Sequence, residues 1–123
     1  MAPASIHLPR ILRIGAGASA TLLDTLSELG VARPLLVTDP FLAEWGFAER
    51  LLQPLLRAGI ACPVFAECVP DPTTDSVAAC LSQLRSGDFD CLVALGGGSS
   101  LDTAKAVSVL ALHGGAMRDF AVP

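Results

Sequence analysis

The chain has no tyrosine, one tryptophan, two histidines and a single lysine, Lys105, among eight basic residues. Cations this few and this dispersed, with few aromatics, make no footprint for nucleic acid, whose phosphates require a basic surface. The acids are also scattered and form no tail, and the net charge is −4. Cys62, Cys68, Cys80 and Cys91 form no C-x-x-C pair and no zinc-type spacing. They read as buried free thiols of a reducing cytoplasm, not as a metal site or a disulfide framework. No apolar run reaches the ~18 residues of a membrane span. Arg10 and Arg13 interrupt the N-terminal apolar stretch, so no signal peptide is evident. The expectation is a cytoplasmic protein that contacts neither membrane nor nucleic acid. Charged residues make up only 16% of the chain, which points to part of the surface packing against something else.

What the sequence does hold is apolar and regularly punctuated. Its 123 residues are 52% hydrophobic with a mean hydropathy of +0.58, enough for one domain with a sheet covered on both faces. Short apolar runs alternate with helical patterns. Strands are predicted at RILRI (10–14), PLLVTD (34–39), IACPVFAE (60–67) and FDCLVAL (89–95). The first is edge-like because arginines interleave it, and Pro63 places the third at an edge. Helices are predicted over 19–30, from Pro40 onward, over 47–59 with a bend or break at Pro54, over 73–87 and over 99–113. Strand and helix in alternation imply βαβ units. The predicted fold is therefore a Rossmann-like open α/β sheet, mainly parallel, with helices on both faces. Ligands of such sheets sit beyond the carboxyl ends of the strands. Those ends carry Gly15, Asp39, the segment 67–72 and the segment 96–99.

Two glycine-rich turns compete for a phosphate there. GAGASA (15–20) fits G-x-G-x-x-A, and Asp39 follows at about the ~20-residue offset of a ribose-binding acid. It also fits a plain tight turn, since the strand before it is charged. GGGSSLDTAKA (96–106) follows a wholly apolar strand, as a central strand should be. Its glycines let backbone approach a ligand, and Ser99 or Ser100 can cap a helix whose free N–H groups face an anion. No G-K-[ST] follows, which argues against a nucleoside triphosphatase. Asp102 in the first helical turn has a sufficient structural reason in the helix dipole, with Lys105 as an i, i+3 partner. A functional role facing the reacting end of a cofactor is equally compatible.

GGGSSLDTAKA resembles the signature of the iron-containing (group III) alcohol dehydrogenases. LLVTD, AGI, VPDPT and FDCLVALGGGS stand in the family's order, so the likeness spans about residues 8–120. The resemblance implies an N-terminal NAD-binding domain over 1–123, with the family's helical metal-binding domain absent from this chain. It implies hydride transfer between a primary alcohol or aldehyde and NAD. A divalent metal, iron or zinc, would be held by an Asp and three His beyond Pro123, because His7 and His113 have no ligand spacing. The resemblance assigns Gly97, Gly98, Ser99 and Ser100 to the pyrophosphate. Asp39 goes to the adenosine ribose, favouring NAD over NADP, and Asp102 to the nicotinamide and substrate. Asp71 stands where the family usually has Asn near the adenine end. GAGASA becomes a turn. A zinc-dependent glycerol or polyol dehydrogenase domain and a stand-alone nucleotide-binding or regulatory module are the alternatives. RILRI is a candidate edge for a homodimer.

Overall fold

The computed structural model describes residues 3–5 and 8–120. A short 3-10 turn, Ala18–Thr21, leads into α1 (Leu22–Leu29). Then follow β1 (Pro34–Val37), α2 (Pro40–Glu44), α3 (Phe47–Arg57), β2 (Val64–Phe65), α4 (Thr74–Ser86), β3 (Cys91–Ala94), α5 (Gly98–His113) and a second 3-10 turn, Met117–Phe120. The sheet has the order β2-β1-β3, and both pairings are parallel. It is the predicted α/β sheet.

β1 is central because its sequence is apolar on both sides. Leu35, Leu36 and Val37 are fully buried, each contributing roughly 1.5–3 kcal/mol by burial. On one face Leu36 packs with Leu26 of α1 and Ala48, Leu52 and Leu55 of α3. On the other, Val37 and Phe65 pack with Val77, Cys80 and Leu81 of α4 and with Ala104, Val107 and Leu110 of α5. Helices thus cover both faces.

Four expectations are corrected. RILRI forms no strand: residues 10–14 have no ladder partner among the described residues. The Arg13 guanidinium instead bonds Thr25 and Glu28 of α1, which holds the segment on the helix. β3 lies at an edge of the sheet, half-buried along its length, where a central strand was expected. β2 shrinks to two residues because Pro63 has no N–H for the ladder, although its carbonyl still accepts from the Leu36 N–H at 2.9 Å. Pro54 does not break α3. It removes the N–H owed to the carbonyl of Arg50, an exposed residue, while Leu52 and Leu55 keep the helix anchored.

At the amino ends of the strands, one side chain joins β1 to β3. Asp90 accepts from the backbone N–H groups of Ala32 (3.0 Å) and Arg33 (2.8 Å). These two bonds and the Arg33 charge hold its carboxyl below the usual carboxylate range. No helix among the described residues is long and apolar enough to cross a membrane.

Candidate dinucleotide site

Thr38 gathers the carboxyl ends of the three strands. Its N–H donates to the Phe65 carbonyl (2.8 Å), its own carbonyl accepts from the Cys68 N–H (3.2 Å), and its hydroxyl donates to the Leu95 carbonyl (2.8 Å). It is completely buried. A buried hydroxyl must find an acceptor, so its position at the end of an apolar run fixes where β1 stops and the crevice begins.

Asp39 follows. Its side chain N-caps α2, with Oδ1 accepting from the Leu42 N–H at 2.9 Å, and Pro40 occupies the first helical position, where a missing N–H costs nothing. That leaves Oδ2 turned toward Gly96. Gly96 has φ +140°, a conformation that L side chains rarely adopt. A β-carbon there would stand 3.2 Å from Asp39 Oδ2 and 2.8 Å from Ser100 Oγ. The first glycine is thus required by backbone angle and by space together.

α5 opens differently from the prediction. Gly97, not a serine, is its N-cap, and no side chain caps the helix. Ser99 and Ser100 lie inside the first turn. The N–H groups of that turn are therefore left for a ligand or water, at the positive end of a 16-residue helix. Gly97 and Gly98 have open space where a β-carbon would project. Ser100 Oγ is buried with no hydrogen-bond partner. The Cys68 thiol lies beside Ser100 and Thr103; burial pushes it up, and the two hydroxyls partly offset this. Sulfur is too weak a partner to satisfy Ser100. Thr103 has its own acceptor, the Ser99 carbonyl at 2.7 Å. An uncapped helix end, an orphaned hydroxyl and an open glycine pair suit an anionic phosphate.

Asp102 lies one turn further along α5, exposed. The hollow beside it is lined by Pro72, Thr73, Thr74, Val77, Ala106 and Met117, with a volume of about 260 Å³. Neither Asp39 nor the glycines line it. The expected pairing of Asp102 with Lys105 is not among the ion pairs of the described residues, which are Arg13–Glu28, Arg33–Asp88 and Arg33–Asp90. Asp71, in the proline loop before α4, is exposed at φ +52°, a left-handed angle that Asp tolerates better than most residues. The structure thus brings Asp39, Gly96 and Ser100 together, and sets Asp102 against the proline loop that carries Asp71.

GAGASA is a turn. Gly15 and Gly17 take positive φ and deliver the chain into the 3-10 turn before α1. His7 lies outside the described residues, and His113 ends α5. Among the described residues no group of three His, Cys, Asp or Glu could hold a metal ion. The positioning roles of Thr38 and Gly96 were missed from sequence. The available signal was a lone hydroxyl inside the apolar run LLVTD.

A family model described as iron-containing alcohol dehydrogenase matches residues 9–122. The chain belongs to the iron-containing alcohol dehydrogenase family. It is 34% identical to a long-chain-alcohol dehydrogenase of Geobacillus thermodenitrificans over 120 residues, 98% of this chain and 30% of that protein. It is equally similar, over 116 residues, to an NAD-dependent methanol dehydrogenase of Bacillus methanolicus, covering 94% of this chain and 30% of that one. Among solved structures, a 1,3-propanediol oxidoreductase superposes with a TM-score of 0.82 at 31% identity, over 88% of this chain and 28% of its own. A sulfoacetaldehyde reductase from Bifidobacterium kashiwanohense, solved with NAD+, superposes at 0.77 with 29% identity, over 86% and 28%. This member of the iron-containing alcohol dehydrogenase family spans about 30% of the length of the curated relatives it matches.

Proposed function

We propose that residues 1–123 form the N-terminal dinucleotide-binding domain of an NAD-dependent alcohol dehydrogenase. The whole protein would interconvert a small alcohol and its aldehyde. The observation that carries this reading is the uncapped start of α5 at Gly97, with the orphaned Ser100 hydroxyl beneath it and Asp39 across Gly96. In this reading the N–H groups of Gly98 and Ser99 and the hydroxyl of Ser99 or Ser100 hold the pyrophosphate. Oδ2 of Asp39, unused by the helix cap, accepts from the adenosine ribose hydroxyls and repels a 2′-phosphate, which selects NAD. Bound NAD supplies the hydride acceptor or donor. Asp102 faces the nicotinamide and substrate end, across the first turn of α4. Asp71, in the proline loop before α4, takes the place of the family's Asn near the adenine end.

The described residues offer no ligand set for a metal ion. The divalent metal and most of the substrate pocket are assigned to sequence outside these 123 residues, and no step is drawn through them. NADH titrated into the chain should shift the amide NMR signals of Gly96, Gly97, Gly98, Ser99 and Ser100 before any others. A folded chain whose signals there ignore millimolar-range NADH sinks the reading.

A further inference from the structure

β3 ends the sheet without the usual protection of an edge. Strands whose edge faces water are commonly blunted by charged side chains or proline. Cys91–Ala94 has neither, and it is half-buried along its length. The Leu95 N–H donates to the Val37 carbonyl at 3.0 Å. Backbone groups alternate along a strand, so those of Leu92 and Ala94 point to the other side, where no strand stands among the described residues. Two hollows flank this open side, one on each face of the sheet. Val93 and Leu95 meet Leu22 and Leu51 around about 240 Å³ on the face of α1 and α3. Leu92 meets Leu84 and Leu112 around about 480 Å³ on the face of α4 and α5. Leu112 is 82% exposed there. The alternating side chains of one more strand would enter the two hollows in turn.

The connections already present say which way the chain goes next. α3 covers one face and joins β1 to β2. α4 covers the other face and carries the chain from β2, past β1, to β3. Opposite faces and opposite directions along the sheet make these two crossovers of one hand, as parallel βαβ units require. α5 lies on the face of α4, and Met117 of the second 3-10 turn packs against the same cluster. A crossover of the same hand on that face runs in the direction of α4. It does not turn back over β1 and β2. It leads past β3, to the open side.

We propose that the open side of β3 receives a fourth strand, parallel to it and apolar on both faces, from the part of this protein outside the 123 residues. The curated relatives are longer, with 30% of their length covered by this chain, which leaves room for such a strand within one protein. The strand satisfies the free N–H and C=O groups of Leu92 and Ala94. It also makes β3 an interior strand, the environment its apolar sequence suits.

Amide hydrogen exchange, read by NMR on the 123-residue chain and on the whole protein, tests this. In the 123-residue chain, Leu92 and Ala94 should exchange on the order of a hundredfold faster than Val93 and Leu95, whose N–H groups face β1. In the whole protein all four should be protected alike, and the Leu92 and Ala94 amides should show cross-peaks to a neighbouring strand. Amides of Leu92 and Ala94 that stay fast in the whole protein overturn the proposal. Protection without cross-peaks to a strand overturns it too, because a helix or loop then covers the edge. Cross-peaks between the α-protons of Cys91 or Val93 and those of the new neighbour mark an antiparallel pair, which contradicts the crossover. Protection that grows with concentration in the 123-residue chain gives the edge to a second copy, and protection at every concentration shows that it is not open. Either result sinks the proposal. None of these readouts involves a cofactor, so failure here leaves the dinucleotide reading untouched.

Discussion

Asp39 and Ser100 approach each other across the α-carbon of Gly96, so closely that a β-carbon there would lie 3.2 Å from the carboxylate and 2.8 Å from the hydroxyl. The end of β1 and the first turn of α5 are therefore held in register by a residue with no side chain. Gly96→Ala adds a methyl group at φ +140° and pushes both polar groups apart. The expected cost is about 1–3 kcal/mol of stability, measured by urea unfolding. NADH binding should weaken with it.

Gly97→Ala separates fold from ligand. Gly97 has an extended backbone, and a β-carbon there would meet nothing within 4 Å, so the fold should tolerate it within about 0.5 kcal/mol. In the proposed reading, the methyl group would stand where the pyrophosphate approaches. An unchanged unfolding midpoint with about tenfold weaker NADH binding is the expected pair of results. Unchanged affinity would show that no ligand backbone comes near this glycine.

Asp39 has one observed duty, the cap of α2, and one that the proposed function gives it, the adenosine ribose. As N-cap it satisfies the Leu42 N–H, and Asp39→Ala should cost about 1 kcal/mol. Asn keeps the cap and removes the charge. Asp39→Asn should therefore retain stability while shifting the ratio of NADP to NAD affinity toward NADP by about tenfold, since the repulsion of a 2′-phosphate is lost. Isothermal titration with both oxidised cofactors reads this directly. A ratio that does not move would detach Asp39 from the ribose.

Much of this arrangement was legible in the residues, and the exceptions share a cause. The apolar run LLV reports its own burial, and the stripe Leu51, Leu52, Leu55 and Leu56 identifies α3 as a helix, although Leu52 and Leu55 are buried while Leu56 is 61% exposed. Gly30 and Thr73 end and begin their helices as local chemistry requires, Gly30 at φ +71° and Thr73 accepting from the Ser76 N–H. What local pattern cannot show is who sits alongside. RILRI has strand-like residues but no ladder partner among the described residues, and the Arg13 contact to α1 decides its course. β3 is as apolar as a central strand yet lies at an edge of this sheet. The serines of GGGSS have the right chemistry for a cap, but the helix starts one residue earlier, and the glycine takes that place. The orphaned Ser100 hydroxyl and the closeness of Asp39 to Gly96 are products of tertiary packing, invisible in the spacing of the motif.

Asp90 makes acid sensitivity testable away from the crevice. Its two backbone bonds, to the N–H groups of Ala32 and Arg33, are stronger to the ionised carboxylate than to the neutral acid and so lower its pKa in the folded chain. The unfolded value is about 3.9. A lowered folded value means the unfolded chain binds the proton first, so this stabilisation is complete above the unfolded pKa. It is lost as pH falls through the folded one. Asp90→Asn should lower stability at neutral pH, and the gap from wild type should close as pH drops below about 3.9. Chemical denaturation at a series of pH values measures that gap. A gap that stays constant from neutral pH into acid would mean that the Ala32 and Arg33 bonds, not the charge, account for all that Asp90 contributes.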